Sequence, residues 1–198
     1  MDASAGPWNL ATAIAAERRA LYARARGGVA LPAAGAIYWG ALAATGFLFP
    51  DLPVQYWLLI AFAGSGLIFP AALGLQYVFD SPILEQSPLS GLAGAALAGM
   101  LLSWAITLPL FWAAPEIAPL ALAIGMSLHW PAIGWMYGRT RLFTAHAAVR
   151  AVLCAGLWFL FPAAATAAIP AAVCVLYIVS VAVLLLDADR ERRKLCLA

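Results

Sequence analysis

Residues 165–186 have the sequence ATAAIPAAVCVLYIVSVAVLLL, which contains no charged side chain. A transmembrane helix needs about 20 mainly apolar residues to cross a hydrocarbon layer about 30 Å thick. This stretch is long enough to cross, and the charged segment DADRERRK follows it directly at 187–194. We therefore predict a transmembrane helix over 165–186 and a basic cytoplasmic tail over 187–198.

Five further apolar runs precede this one, and proline or charged residues separate them. Of the 198 residues, 65% are hydrophobic and 10% are charged, and the mean hydropathy is +0.92. This composition excludes a soluble globular protein and leaves no room for a separate soluble catalytic domain. We predict an all-α polytopic membrane protein, with a six-helix bundle over 29–186. The predicted spans are 29–49, 55–79, 89–112, 117–137, 142–161 and 165–186.

The basic residues predict the orientation of this bundle. Loops on the cytoplasmic side of a membrane protein are enriched in Lys and Arg. With six spans and a cytoplasmic N-terminus, all basic clusters fall on the cytoplasmic side, and both termini are cytoplasmic. The clusters are Arg18, Arg19, Arg24 and Arg26; Arg139 and Arg141; and Arg190, Arg192, Arg193 and Lys194.

The N-terminal segment, 1–28, is predicted to lie in the cytoplasm against the lipid headgroups. Leu10, Ile14 and Leu21 share one face of a short amphipathic helix, and nearby arginines are attracted to an anionic membrane surface. Gly27 and Gly28 are expected to separate this helix from the first span. Membrane lipids are thus the first expected partners.

The fourth predicted span contains the most unusual local sequence, SLHWP at 127–131. Pro131 has no N–H to donate to the carbonyl of Ser127, so we expect the helix to kink or open there. Polar groups at membrane depth often mark a pathway or a site inside the bundle. The alternative is that His129 only bonds a neighbouring helix and that Pro131 shapes packing. Our candidates for a ligand or ion pathway here are Ser127, His129, Trp130 and Pro131.

Arg150 is the only charged residue well inside a predicted span, and His146 precedes it by one turn on the same face. We add both residues to the candidate pathway. Arg150 could extend its side chain to the membrane surface, or it could bind a partner inside the bundle. The partners we consider are Asp80 and Glu85, as ion pairs, and Gln76, as a hydrogen bond.

The sequence contains no recognisable catalytic or metal-binding motif. Cys154, Cys174 and Cys196 form no CxxC pair and have no histidine at metal-ligand spacing. No GxSxG, HExxH or Walker loop is present. We predict no metal, no cofactor and no catalytic residue, and the net charge of +2 gives no indication of a nucleic-acid partner.

Several short motifs are distributed over most of 26–162. They are Arg26-Gly27-Gly28, Phe47-Leu48-Phe49-Pro50, Phe69-Pro70, Ser87-Pro88-Leu89, Pro119-Leu120, His129, Pro131 and Gly134-Trp135-Met136-Tyr137. With these motifs the chain resembles an uncharacterised family of small bacterial multi-pass integral membrane proteins. The resemblance implies a location in the bacterial inner membrane and brings no assigned activity.

Three functions stay open at this point. The first is a transporter or channel-like protein that binds a small solute or ion at the kinked fourth helix. The second is an accessory or structural subunit, whose stripes of small residues would bind another membrane protein or a second copy of the chain. The third is an enzyme acting on a lipid-like substrate with His129 or His146 as general base, although an adjacent nucleophile is lacking.

Overall fold

The structure is a computed structural model, which describes residues 7–83 and 85–196. Over these residues the chain is helical and contains no β-strand, so the all-α prediction is confirmed. Residues 1–6 of the predicted N-terminal segment and residues 197–198 of the predicted tail lie outside the described part. The helices are α1 (Pro7–Arg24), α2 (Ala30–Leu48), α3 (Val54–Ser65), α4 (Ile68–Phe79), α5 (Ser90–Leu101), α6 (Trp104–Ala113), α7 (Ala118–Gly125), α8 (Trp130–Met136), α9 (Thr140–Leu160) and α10 (Ala165–Cys196).

Four helical segments of the described chain are long and apolar enough to cross a membrane, and α3 with α4 makes a fifth if they form one span. Those two helices meet at a bend of 49°. The predicted span 117–137 is divided into the short helices α7 and α8. Six spans therefore remain a prediction. The four long segments are Arg26–Leu48, Ser90–Ala113, Thr140–Leu160 and Pro162–Cys196.

The helical structure is interrupted between α1 and α2 at the glycines predicted to separate them. Arg26, Gly27 and Gly28 all have positive φ angles of 47°, 73° and 66°, a conformation that favours glycine. Beyond this break, α1 packs against α10 instead of presenting one apolar face to its surroundings. Leu21 is 2% exposed, whereas Leu10 is 65% exposed. The amphipathic face predicted for this segment is thus divided between the protein core and the outside.

The most extensive helix contact joins α2 and α10, and it forms the centre of the core. At Gly46 the two backbones approach so closely that an added Cβ would lie 2.4 Å from the carbonyl oxygen of Thr166. Helix α10 then continues without interruption through 32 residues to Cys196. Residues 187–196, predicted as a tail, therefore extend the last helix.

Ion pairs connect four segments of the chain at one end of the bundle. They join α1 and the turn after it, the loop that follows α4, the loop before α9, and the C-terminal part of α10. We call this set the ion-pair layer. Its residues are Glu17, Arg24, Arg26, Asp80, Glu85, Arg139, Asp187, Asp189, Glu191 and Arg192.

Away from this layer, the surface exposes many large apolar side chains. A water-soluble monomer seldom exposes large continuous apolar patches. Among these side chains are Leu48, Tyr77, Val78, Leu102, Ile106, Val152, Phe159, Leu160, Ile178 and Leu186.

Candidate buried binding site

The turn between α7 and α8 contains two of the predicted site residues. Ser127 donates its hydroxyl to the carbonyl of Ile124 at 2.7 Å, and its own carbonyl accepts the N–H of Trp130 at 3.1 Å. Pro131 lies in the first turn of α8, where a missing N–H does no harm. The helix therefore opens where Pro131 predicts, and both residues shape this break.

His146 joins three helices. Its Nδ1 lies 2.7 Å from the hydroxyl oxygen of Ser180 on α10. Its ring stacks on the Trp130 ring of α8, with centroids 3.6 Å apart and planes 8° apart. His146 is 6% exposed, so α8, α9 and α10 enclose it almost completely.

Arg150 lies one turn further along α9 and is fully buried. Its Nη1 donates to the hydroxyl of Tyr177 on α10 at 3.1 Å. Its guanidinium carbon lies over the rings of Trp39 and Tyr177, at 4.8 and 5.3 Å from their centroids. The charge is thus placed against aromatic faces, which favour cations.

Of the two alternatives for Arg150, the structure shows a partner inside the bundle, but this partner is Tyr177 and not one of the three residues considered from the sequence. The side chain does not extend to a surface, and it makes no ion pair with any residue of 7–83 or 85–196. The three expected partners bind elsewhere: Asp80 binds Arg192 at 2.9 Å, Glu85 binds Arg24 at 2.8 Å, and Gln76 accepts the N–H of Ile83 at 3.3 Å.

His129 completes the cluster from the α7–α8 turn. Arg150 is close enough to interact electrostatically with both His129 and His146. Four of the six predicted site residues are therefore brought together, whereas Ser127 and Pro131 hold the turn. We call the assembled set the buried centre: Trp39, His129, Trp130, His146, Arg150, Tyr177 and Ser180.

Several polar atoms of the buried centre lack a hydrogen-bond partner among the described residues. An unsatisfied buried polar group costs about 1–3 kcal/mol, and a charged one costs more. Native interiors contain few such groups, and each calls for an explanation. The atoms are Trp39 Nε1, His129 Nδ1, Trp130 Nε1, His146 Nε2 and both Nε and Nη2 of Arg150.

A cavity of about 160 Å³ between α9 and α10 reaches the buried centre at Trp130, His146 and Ser180. A larger groove of about 740 Å³ adjoins it at the ion-pair layer, and both are lined by Leu142 and Val183. The groove and the cavity are therefore neighbours on the α9 and α10 side of the bundle.

The comparison with known families covers most of the chain. The model of a family of unknown function, DUF7010, matches residues 14–187. The chain belongs to this family. The expectation of an uncharacterised family is confirmed. No curated protein and no solved structure matches the chain. The DUF7010 match includes every residue of the buried centre, and it ends where the C-terminal acids and bases of α10 begin.

Three members of the buried centre were not predicted from the sequence of this DUF7010 chain: Trp39, Tyr177 and Ser180. Tyr177 and Ser180 lie three residues apart in the apolar run 165–186, so they share a helix face. Two polar side chains on one face of an apolar span are a signal that could have found them. Trp39 carries no comparable signal, because tryptophan is common throughout this chain.

Proposed function

We propose that the protein is a membrane-embedded binding and transport protein for a small solute, which binds at the buried centre. The observation that carries this proposal is the group of unpartnered buried nitrogen atoms around Arg150. Such atoms are expensive inside an apolar bundle unless a ligand or water bonds them. The groove and the cavity at His146 share the lining residues Leu142 and Val183, which supports access from the charged end of the bundle.

We further propose six membrane crossings, with both termini in the cytoplasm of a bacterial cell. The ion-pair layer supports this topology, because its four segments are separated in sequence by pairs of predicted crossings. Two crossings return the chain to the side on which it started. The basic residues at this end favour the cytoplasmic side, and the exposed apolar side chains support insertion in lipid.

Labelling of single cysteines tests the topology. In a variant without the three native cysteines, we would compare Asp51→Cys with Arg190→Cys, which lie in the first predicted outer loop and near the ion-pair layer. We expect a membrane-impermeant maleimide to label Asp51→Cys in intact cells and Arg190→Cys only after permeabilisation. Labelling of both positions, or of Arg190→Cys alone, in intact cells would overturn the proposed orientation.

A ligand screen tests the binding function. Small water-soluble metabolites would be added to the purified chain in detergent, and the melting temperature would be measured for each. We expect at least one solute to raise it, and the rise to be lost in His146→Phe, which keeps an aromatic ring against Trp130. Trp112→Phe is the matched control, because Trp112 is 77% exposed and does not belong to the buried centre. If no solute acts, or if His146→Phe responds normally, the proposal fails.

Uptake tests the transport step. Proteoliposomes that contain the chain should accumulate the stabilising solute faster than empty liposomes, and His146→Phe should abolish the difference. Equal uptake by His146→Phe and the unchanged protein would show that the buried centre is not on the transport path.

An accessory role is the second candidate, and one observation favours it. In the segment Ser90–Ala113 only 6% of the apolar stretch is buried. A Cβ added at Gly91, Gly94 or Gly99 would meet no atom of the described residues within 4 Å, so another helix could approach closely. Native mass spectrometry from nanodiscs should then show an oligomer or a second protein, and Gly94→Leu should dissociate it. A bare single chain would exclude a stable complex of this kind.

A further inference from the structure

We propose that the buried centre binds the carboxylate of a small organic acid through the Nε and Nη2 edge of Arg150. This inference rests on the proposed function and adds the chemical class of the solute. It starts from the guanidinium group of Arg150, whose nitrogen atoms are not equivalent in the structure.

One edge of this guanidinium is free. Nη1 donates to the Tyr177 hydroxyl, whereas Nε and Nη2 have no hydrogen-bond partner in the described chain. The N–H groups of Nε and Nη2 point in the same direction within the guanidinium plane. They form the two-pronged donor that matches both oxygens of a carboxylate.

Aromatic rings restrict approach to that edge. Trp39 and Tyr177 both lie against the guanidinium within cation–π distance. Both rings occupy space beside the guanidinium carbon, so the hydrogen bonds left for a ligand are those of Nε and Nη2. A planar ligand with two coplanar acceptor atoms suits this arrangement better than a spherical ion does.

The charges around the site require an anion. Guanidinium groups stay protonated in proteins, and burial of a charge without a counter-charge is strongly unfavourable. Among the described residues no carboxylate pairs with Arg150. The unpartnered Nε1 atoms of Trp39 and Trp130 can only donate, and the unpartnered nitrogens of His129 and His146 can donate in one tautomer, so the centre can offer several donors to an anion.

The approach to the centre also favours a small anion. Arg139, Arg141 and Arg190 line the groove together with one acid, Asp187. An excess of positive charge raises the local concentration of anions. The lining of the cavity of about 160 Å³ includes His146, one turn of α9 before Arg150, but not Arg150 itself. This cavity is smaller than the roughly 300–1,000 Å³ of pockets for drug-sized ligands, so only an acid of a few carbon atoms could reach the neighbourhood of Arg150 through it.

The test uses the full chain purified in detergent, with sodium acetate as the probe. Acetamide is the uncharged analogue of the same shape, and sodium chloride controls for ionic strength. We expect acetate to raise the melting temperature to a plateau, and acetamide and chloride to produce no saturable rise. Sodium laurate forms a further arm: saturation by laurate at much lower concentrations than by acetate would identify a membrane-borne fatty acid as the source of the carboxylate.

Two variants locate the effect. Arg150→Lys keeps the positive charge but loses the forked edge, so we expect acetate to bind at least about tenfold more weakly. Arg193→Lys makes the same change at an exposed arginine that lines neither the groove nor the cavity, and it should bind acetate as the unchanged protein does. If Arg150→Lys does not fold, the infrared bands of ¹³C-labelled acetate bound to the unchanged protein replace it, because bidentate pairing shifts the carboxylate stretches.

Three results would overturn the inference: equal stabilisation by acetamide, equal stabilisation by chloride, or unchanged acetate affinity in Arg150→Lys. The ligand screen separates this failure from failure of the proposed function. A solute without a carboxylate that requires His146 would refute the carboxylate and keep the binding function. Absence of any stabilising solute would refute both.

Discussion

Tyr177 holds the guanidinium of Arg150 in two ways. Its hydroxyl accepts the Nη1 hydrogen bond, and its ring lies against the same charge. An added Cβ at Gly35 would lie 3.0 Å from the Tyr177 ring, so α2 packs directly against this side chain. Tyr177 thus orients Arg150 from α10, and the position of α10 in turn depends on α2.

Replacement of Tyr177 by phenylalanine measures the contribution of the hydroxyl group alone to the stability of the protein. Tyr177→Phe keeps the ring but leaves a third buried guanidinium nitrogen without an acceptor. We expect the free energy of unfolding to fall by about 1–3 kcal/mol, the cost of an unsatisfied buried polar group. Thermal and denaturant unfolding followed by circular dichroism measures the change.

Tyr56→Phe is the matched control, because Tyr56 is 60% exposed. It should leave the free energy of unfolding nearly unchanged. Equal stability of Tyr177→Phe and the unchanged chain would mean that the Tyr177 hydroxyl does not satisfy Arg150.

For individual residues, the sequence pointed to Arg150 and His146 as site residues but did not show which side chains they contact. Arg150 and His146 stand out because ionisable groups are rare inside apolar spans. The predicted topology indicates Asp80 and Glu85 as partners because it puts them on the same side of the membrane as the nearer end of α9. Arg150 lies ten residues into α9, about 15 Å along the helix from Thr140, whereas the ion pairs form at the helix ends. The sequence pattern alone does not show how deep within the bundle Arg150 lies.

Among the helices, the pair α2 and α10 depends on one close backbone approach. Gly46 meets the carbonyl oxygen of Thr166 and the Cα of Ala167, so even a methyl group cannot be accommodated without movement of backbone. Side chains can rotate away from a clash, but these atoms cannot. The spacing of the two central helices is therefore sensitive to residue 46.

Gly46→Ala should lower the free energy of unfolding by about 1–3 kcal/mol, the usual range for overpacking. The control is Gly74→Ala in α4, where an added Cβ meets no atom of the described chain within 4 Å. Because alanine favours helix more than glycine does, Gly74→Ala should keep or raise stability. Parallel melting curves in one detergent compare the two, and equal curves would contradict the close approach.

The apolar runs predicted the positions of the helices better than their continuity. Pro131 signalled the break between α7 and α8, since proline removes a backbone donor. The break between α3 and α4 was not predicted within the run 55–79. There Ser65 donates its hydroxyl to the Phe62 carbonyl at 2.7 Å, and Gly66 follows directly. A serine and a glycine in an apolar run are weak signals, so tertiary packing decides whether such a helix bends.

At the scale of the whole molecule, the ion-pair layer connects distant segments of the chain at one end of the bundle. Glu17 accepts hydrogen bonds from Ser87 and Arg24, which hold the pKa of its carboxyl below the usual value of 4.5. Arg192 likewise lowers the pKa of Asp80 from 3.8. A carboxyl whose pKa is lower in the folded chain stabilises the fold above its unfolded pKa. That contribution disappears as the pH falls through the folded pKa.

We therefore expect the contribution of these two carboxyls to stability to be constant between about pH 7 and pH 5 and to fall below about pH 4.5. Melting temperatures measured from about pH 7 to pH 3 provide the test, and added salt should reduce the change because these pairs are partly exposed. Glu17→Gln should lower stability at neutral pH and flatten part of the acid decline. Asp51→Asn, at an exposed acid outside the ion-pair layer, is the control. An identical acid decline in Glu17→Gln would contradict the role of Glu17.

For the arrangement of the whole molecule, the charged residues of the sequence were more informative than its apolar runs. The clusters predicted to share one side do meet at one end of the bundle, since Arg24, Arg139 and Arg192 pair with acids from other segments. The individual pairs were not predictable, because many arginines and acids share this end. Family membership was predictable from short motifs, and it leaves the solute to experiment.

Helix α10 is continuous, and it contributes residues both to the ion-pair layer and to the buried centre. Its 32 residues extend about 48 Å, and the apolar residues 165–186 account for about 33 Å of this, close to a hydrocarbon layer of about 30 Å. In a thinner bilayer this apolar stretch is longer than the hydrocarbon layer, and the helix adapts by tilting further, at modest cost. Tilt would move Tyr177 and Ser180 relative to Arg150 and His146 on α9. The affinity for the solute should therefore differ between nanodiscs of short-chain and long-chain lipids, so that membrane thickness acts as a regulator of binding.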